Sequence, residues 1–110
     1  MIVNELAEID ELESVLLTDP ERSVQGAYAG DLLSWVMGRA KAGDAWLTVM
    51  GNVNAVAVAV LADVACIILT EDSPLDPEAR AKAEAQGVAV LRSGENAYRL
   101  AVALGGLLGE

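Results

Sequence analysis

Histidine and phenylalanine are missing from these 110 residues, and cysteine occurs once. Without histidine the commonest general base is gone, and with a single thiol no conventional zinc site can be assembled. One cysteine cannot form an internal disulfide, which suits a reducing compartment and predicts a cytoplasmic location. Aromatic residues make up only 4% of the chain, so Ala, Val, Leu and Ile must fill its core. Cations are scarce as well. Seven Lys and Arg face seventeen Asp and Glu, a formal charge of −10. DNA, RNA and anionic membrane surfaces are held chiefly by Lys and Arg, so neither nucleic acid nor membrane is expected as a partner. The first ten residues carry Glu5, Glu8 and Asp10 and no Lys or Arg, unlike the positive start of a signal peptide.

The motifs of catalysis are missing too. A phosphate-binding loop needs Gly-Lys followed by Ser or Thr, but Lys41 and Lys82 follow Ala40 and Ala81. Gly26-Ala27-Tyr28-Ala29-Gly30 does not complete a dinucleotide fingerprint and reads as a close approach of strand and helix. Ser14, Ser23, Ser34, Ser73 and Ser93 have no histidine to activate them, and none lies in a nucleophile elbow. Cys66 sits in the apolar run Val64 to Leu69 and reads as a buried, inert thiol. No enzyme, cofactor or metal site is expected.

What the chain does contain is a well-marked series of elements. At 54% hydrophobic residues it can build a core without staples, and its length suits one domain over residues 1–110. Asn4 is expected to cap a short helix over Glu5 to Asp10, followed by an apolar strand at Val15 to Leu17. Asp19-Pro20 makes a turn, and Val24 to Tyr28 is a second extended piece. From Asp31 the spacing of Leu32, Leu33, Val36, Met37 and Ala40 is helical, with Gly43 as its stop.

Ala45 to Ala62 holds no charge and approaches the length of a membrane span. Gly51-Asn52 breaks it with a turn, leaving a strand at Ala45 to Met50 and an ambiguous stretch at Val53 to Ala62. The latter is read as a buried helix, because Ala62-Asp63 is poor hairpin chemistry ahead of the stronger strand Val64 to Leu69. Asp76-Pro77-Glu78 opens a helix to Gln86, stopped by Gly87. Val88 to Leu91 is a strand. Ser93 is expected to cap a final helix bearing Ala97, Leu100, Ala101 and Leu104 and ending at Gly105-Gly106. Alternation of strand and helix predicts an α/β fold, a single domain with a largely parallel sheet flanked by helices.

In such a sheet, ligands lie beyond the carboxyl ends of the strands. Asn52, Asn54, Thr70 and Ser93 fall in or beside the loops there and are the candidate ligand-binding residues. The plainer reading is that Asn52, Ser73 and Ser93 only cap helices or shape turns. Glu71-Asp72 could face a magnesium ion, though an acidic pair in an acidic chain is more simply a solvated loop. The mean hydropathy of +0.38 is high for so small a soluble chain. Trp35, Trp46, Tyr28 and Met37 exceed what its core needs, although Trp35 and Met37 could simply be core, and the surplus points to a self-interface, most simply a homodimer.

From Gly26-Ala27-Tyr28-Ala29-Gly30-Asp31-Leu32-Leu33-Ser34 onward the sequence resembles the DRTGG domain. The likeness continues through Ala40 to Thr48, Asn54 to Ala59, Ala65 to Thr70 and Pro74 to Leu91, while Asp19 and Arg22 look like the family's early Asp and Arg. One departure stands out: where the family has a glycine pair after the threonine closing the third strand, Thr70 is followed by Glu71-Asp72. The resemblance implies an α/β module similar to the amino-terminal domain of HPr kinase/phosphorylase. Related modules lie between CBS domains of some pyrophosphatases and contribute to dimer contacts. It implies a regulatory module accessory to a partner enzyme. The alternative is a sensor of a small ligand, an adenine nucleotide for example, at the strand ends.

Overall fold

Four short apolar runs supply the parallel strands, and each is followed by a segment able to cross back over the sheet. The computed structural model describes residues 1–109. Its elements are α1 (Val3–Ala7), β1 (Glu13–Leu16), β2 (Gly26–Ala29), α2 (Leu33–Arg39), β3 (Asp44–Thr48), α3 (Val53–Ala62), β4 (Cys66–Leu69), α4 (Pro77–Gln86), β5 (Ala89–Arg92) and α5 (Ala97–Leu108). The sheet order is β1-β5-β4-β3-β2. β2 to β5 run parallel, joined by α2, α3 and α4, while β1 lies antiparallel on β5.

Alternation along the strands divides the interior in two. Ala45, Leu47, Cys66, Ile68, Ala89 and Leu91 face α1 and α5, meeting Val3, Leu6, Leu100 and Leu104. Trp46, Ile67, Leu69 and Val90 face α2, α3 and α4, meeting Val36, Val56, Ala59, Ala79 and Ala83. β3 and β4 are buried along their whole length, as a strand covered on both faces must be. Small residues on α3 and α4 let those helices sit close to the sheet. The result is a three-layer α/β/α sandwich with a radius of gyration of 12.0 Å, close to the roughly 13 Å of a folded chain this long. No helix among the described residues is long and apolar enough to cross a membrane.

Most expected elements are present, and the differences lie at their ends. Val53–Ala62 is a helix, capped by Asn52, whose Oδ1 accepts from the Ala55 N–H at 2.9 Å. The first helix starts earlier than Asn4 suggests. Ile2 precedes it, and the Glu5 carboxylate reaches back to accept from the Ile2 N–H at 2.9 Å. Ser93 directly follows β5 and does not cap α5; Asn96 does the capping, its Oδ1 accepting from the Arg99 N–H. Gly105 and Gly106 are carried inside α5, because Leu104 and Leu108 on either side still pack on the core. The helix stops at Gly109, at a φ of 77°. Of the apolar surplus, Trp46 is wholly buried and its Nε1 donates to the Gly30 carbonyl, whereas Trp35 and Met37 are about half exposed.

Candidate functional site

The carboxyl ends of β2 to β5 meet the loops that open α2, α3, α4 and α5. At β2 the chain turns through Gly30-Asp31. Asp31 Oδ1 accepts from the Thr48 hydroxyl at 2.7 Å and from the Val49 N–H at 2.9 Å, and Thr48 Oγ1 accepts from the Met50 N–H. These bonds lock the end of β2 to the end of β3. Neither Asp31 nor Thr48 stood out in the sequence as a site residue. The signal available was an acid directly following a strand and its glycine.

Beyond β4 and β5 the ladder continues into the loops. The Thr70 N–H donates to the Thr48 carbonyl, and the Ser93 N–H to that of Leu69. The Glu71 and Asp72 N–H groups donate to the carbonyls of Glu95 and Ser93, at 2.9 and 2.8 Å. Thr70 and Ser93 are buried by this zipping, and Ser93 Oγ accepts from the Glu95 N–H at 3.0 Å. Ser73 Oγ donates to the Thr70 carbonyl at 2.7 Å. Glu71 and Asp72 both adopt left-handed backbone, with φ of 54° and 60°. Two residues with side chains thus hold a turn that glycine adopts most readily.

The structure brings Thr70 and Ser93 together and sets Asn52 apart. Asn52 and Val53 border an open hollow of about 420 Å³ whose other wall is Asp76, Pro77 and Glu78. Asn54 is exposed on the first turn of α3. Ser93 borders a second hollow, of about 370 Å³, with Leu12, Glu13, Asp72 and Arg92. Between the two, Gly51 lies against the α4 loop so closely that a Cβ on it would stand 1.9 Å from the Pro74 carbonyl oxygen. The Asp76 N–H donates to the Gly51 carbonyl at 2.8 Å, which joins the β3–α3 and β4–α4 loops.

Charge at this end is mostly negative. Asp31, Glu71, Asp72, Asp76, Glu78 and Glu95 belong to it, and Arg92 is held by Glu13 at 3.0 Å and Asp72 at 3.8 Å. Such a surface repels a free polyphosphate. No group of three or more His, Cys, Asp or Glu side chains converges as a metal centre among the described residues. Cys66 is buried in β4, and burial pushes its thiol pKa up to about 12, with a smaller opposing pull from Arg22.

The fold and this zipped loop end define a small α/β sandwich domain whose polar strand-end groups largely bond one another. More particularly, the chain belongs to the DRTGG domain family, whose model matches residues 29–106. Asp19 and Arg22 lie ahead of that span; the Arg22 guanidinium pairs with Asp63, at 3.1 Å to Oδ1. Among solved structures, the chain is similar to the CBS and DRTGG domains of the regulatory region of Clostridium perfringens pyrophosphatase, complexed with the activator diadenosine tetraphosphate. Identity is 14% and the TM-score 0.61, over 80% of this chain and 39% of the other. This chain thus spans well under half the length of that regulatory region, and the likeness is one of fold. No curated protein sequence matches it.

Proposed function

We propose that this domain is a cytoplasmic, non-enzymatic regulatory module that self-associates as a dimer and acts on a partner enzyme. The observation that carries the reading is the contrast between its two kinds of surface. At the strand ends, where an α/β domain does its chemistry, Thr48, Asp31, Asn52, Ser73 and Ser93 already serve the loops. Elsewhere large apolar side chains stand in solvent: Trp35 is 52% exposed, Leu61 69%, Tyr98 76% and Val102 60%. Apolar surface of that kind in a chain of charge −10 is an investment in contact with another molecule. The presence of a DRTGG domain in a pyrophosphatase regulatory region supports the same role. Sedimentation velocity across the micromolar range tests it. A reversible dimer is expected, and a monomer at every concentration removes the self-association.

The second reading, a nucleotide sensor, draws its support from the activator bound by that regulatory region. In it, Asn52, Asn54, Thr70 and Ser93 contact a small ligand at the strand ends. Because that end is acidic, a phosphate-bearing ligand would have to bring a divalent cation or borrow basic groups from a partner. Thermal-shift measurements with ATP, AMP and diadenosine tetraphosphate, each with and without magnesium, decide it. Stabilisation only with magnesium favours the sensor, and no shift at millimolar ligand disposes of it.

A further inference from the structure

The two edges of the sheet are treated very differently. β1, at one edge, is guarded in three ways. Its register with β5 shifts between Ser14 and Leu16, Glu13 carries a charge on it, and Arg80 donates to the Val15 carbonyl at 2.9 Å. Bulges, charges and covered carbonyls are what keep an edge strand from pairing with another chain. β2, at the other edge, has none of these. Gly26-Ala27-Tyr28-Ala29 contains no charge, no proline and no bulge, and pairs in unbroken register with β3. Among the described residues β3 is its only strand neighbour; the bridge between Ile2 and Ser23 lies ahead of it.

An open groove of about 330 Å³ runs beside this edge, lined by Gly26, Ala27 and Tyr28 and closed by Arg39 and Lys41. Two of the chain's seven cations thus flank the amino-terminal half of β2, against one acid there, Asp44, which is buried and accepts from the Lys41 N–H. The carboxyl end of the strand carries the opposite sign. Asp31 is exposed and fixed there by Thr48 and Val49. The edge is therefore positive at its start and negative at its end. Beside it stand the exposed Leu32 and Trp35, with the Arg39 guanidinium stacked 3.7 Å from the centre of the Trp35 ring.

Deepening the self-association proposed above, we infer that the β2 edge is the dimer interface, two copies pairing β2 with β2 antiparallel about a two-fold axis. A strand edge is self-complementary under that operation, since each copy offers the donors and acceptors the other lacks. Charge selects the antiparallel sense. It lays Asp31 of one copy beside Arg39 and Lys41 of the other, twice over, whereas a parallel pairing opposes like with like. The two five-stranded sheets become one of ten strands. Four strand residues alone bury too little for a stable dimer, and Leu32 and Trp35 add apolar area on the α2 side.

Cross-linking tests the geometry, because Cys66 is buried and unreactive and an introduced thiol will report alone. Ala27→Cys and Tyr28→Cys bracket the two-fold axis, with Val102→Cys on α5 and Ser14→Cys on β1 as comparisons, all in the untagged chain. Under mild oxidation at least one of the β2 variants is expected to yield disulfide-linked dimer at tenfold or more the level of either comparison. Lys41→Glu should weaken the sedimentation dimer several-fold while Lys41→Arg leaves it unchanged. A dimeric parent that cross-links through Val102 or Ser14, or through none of the four, overturns the β2 interface and leaves self-association standing. A monomeric parent overturns both.

Discussion

Glu71 and Asp72 sit where glycine would be at ease, at φ of 54° and 60°. A left-handed residue with a Cβ costs about 1–2 kcal/mol, less for Asp, which tolerates that region. Glu71→Gly should therefore raise the unfolding free energy by about 1 kcal/mol, and Asp72→Gly by less, as read from urea denaturation. A loss of stability in both would show that the acids contribute contacts outweighing the strain. Cys66 offers a second test at this scale. Its pKa is ordinary in the unfolded chain and raised to about 12 in the folded one. Below about pH 9 the thiol is protonated in both states and its effect on stability is constant. Between about 9 and 12 only the unfolded state ionises, so stability falls as pH rises. Cys66→Ala should flatten that fall. In the native parent a thiol reagent at pH 8 should label Cys66 only as fast as the chain opens.

At the scale of elements, hydrogen bonds between the loops at the strand ends join the starts of neighbouring helices. Gly51 is the tightest of these joints. It needs glycine for space and not for backbone freedom, since a Cβ would meet the Pro74 carbonyl oxygen at 1.9 Å. Gly51→Ala must push the β4–α4 loop outward and strain the Asp76 N–H bond to the Gly51 carbonyl. A loss of about 2 kcal/mol or more is expected in denaturant titration, against little change for Gly94→Ala, where nothing lies within 4 Å. The same loops explain why some caps were legible in the sequence and others were not. Asn52 closes the Gly51-Asn52 turn and precedes a helical run, so its capping could be read directly. Ser93 had the right residue type and roughly the right place, but its N–H is claimed by the Leu69 carbonyl of the neighbouring strand. That bond ties Ser93 to the end of β4 and leaves the cap to Asn96.

For the whole molecule, the governing quantity is a charge of −10 spread over 110 residues. Self-repulsion acts against the folded chain and against a dimer that brings two such charges together. Raising salt from about 0.1 to about 1 M, which shortens the Debye length from roughly 10 to 3 Å, should raise the melting temperature and tighten self-association. The opposite trend in association would mean that ion pairs such as Asp31 with Lys41 govern the contact more than apolar area does.

The amino-acid order alone determined which elements form and which chemistry is excluded. Hydrophobic period, turn residues and caps act over three or four positions, and the absence of histidine needs no structure to be read. Tertiary structure decided the rest. It joined β1 antiparallel to the far edge, left β2 open at the other, buried Thr70 and Ser93, and parted Asn52 from them into a separate hollow. Each of those outcomes depends on partners tens of residues away in the chain. Which backbone group claims a given hydroxyl or strand edge is settled only when the layers close.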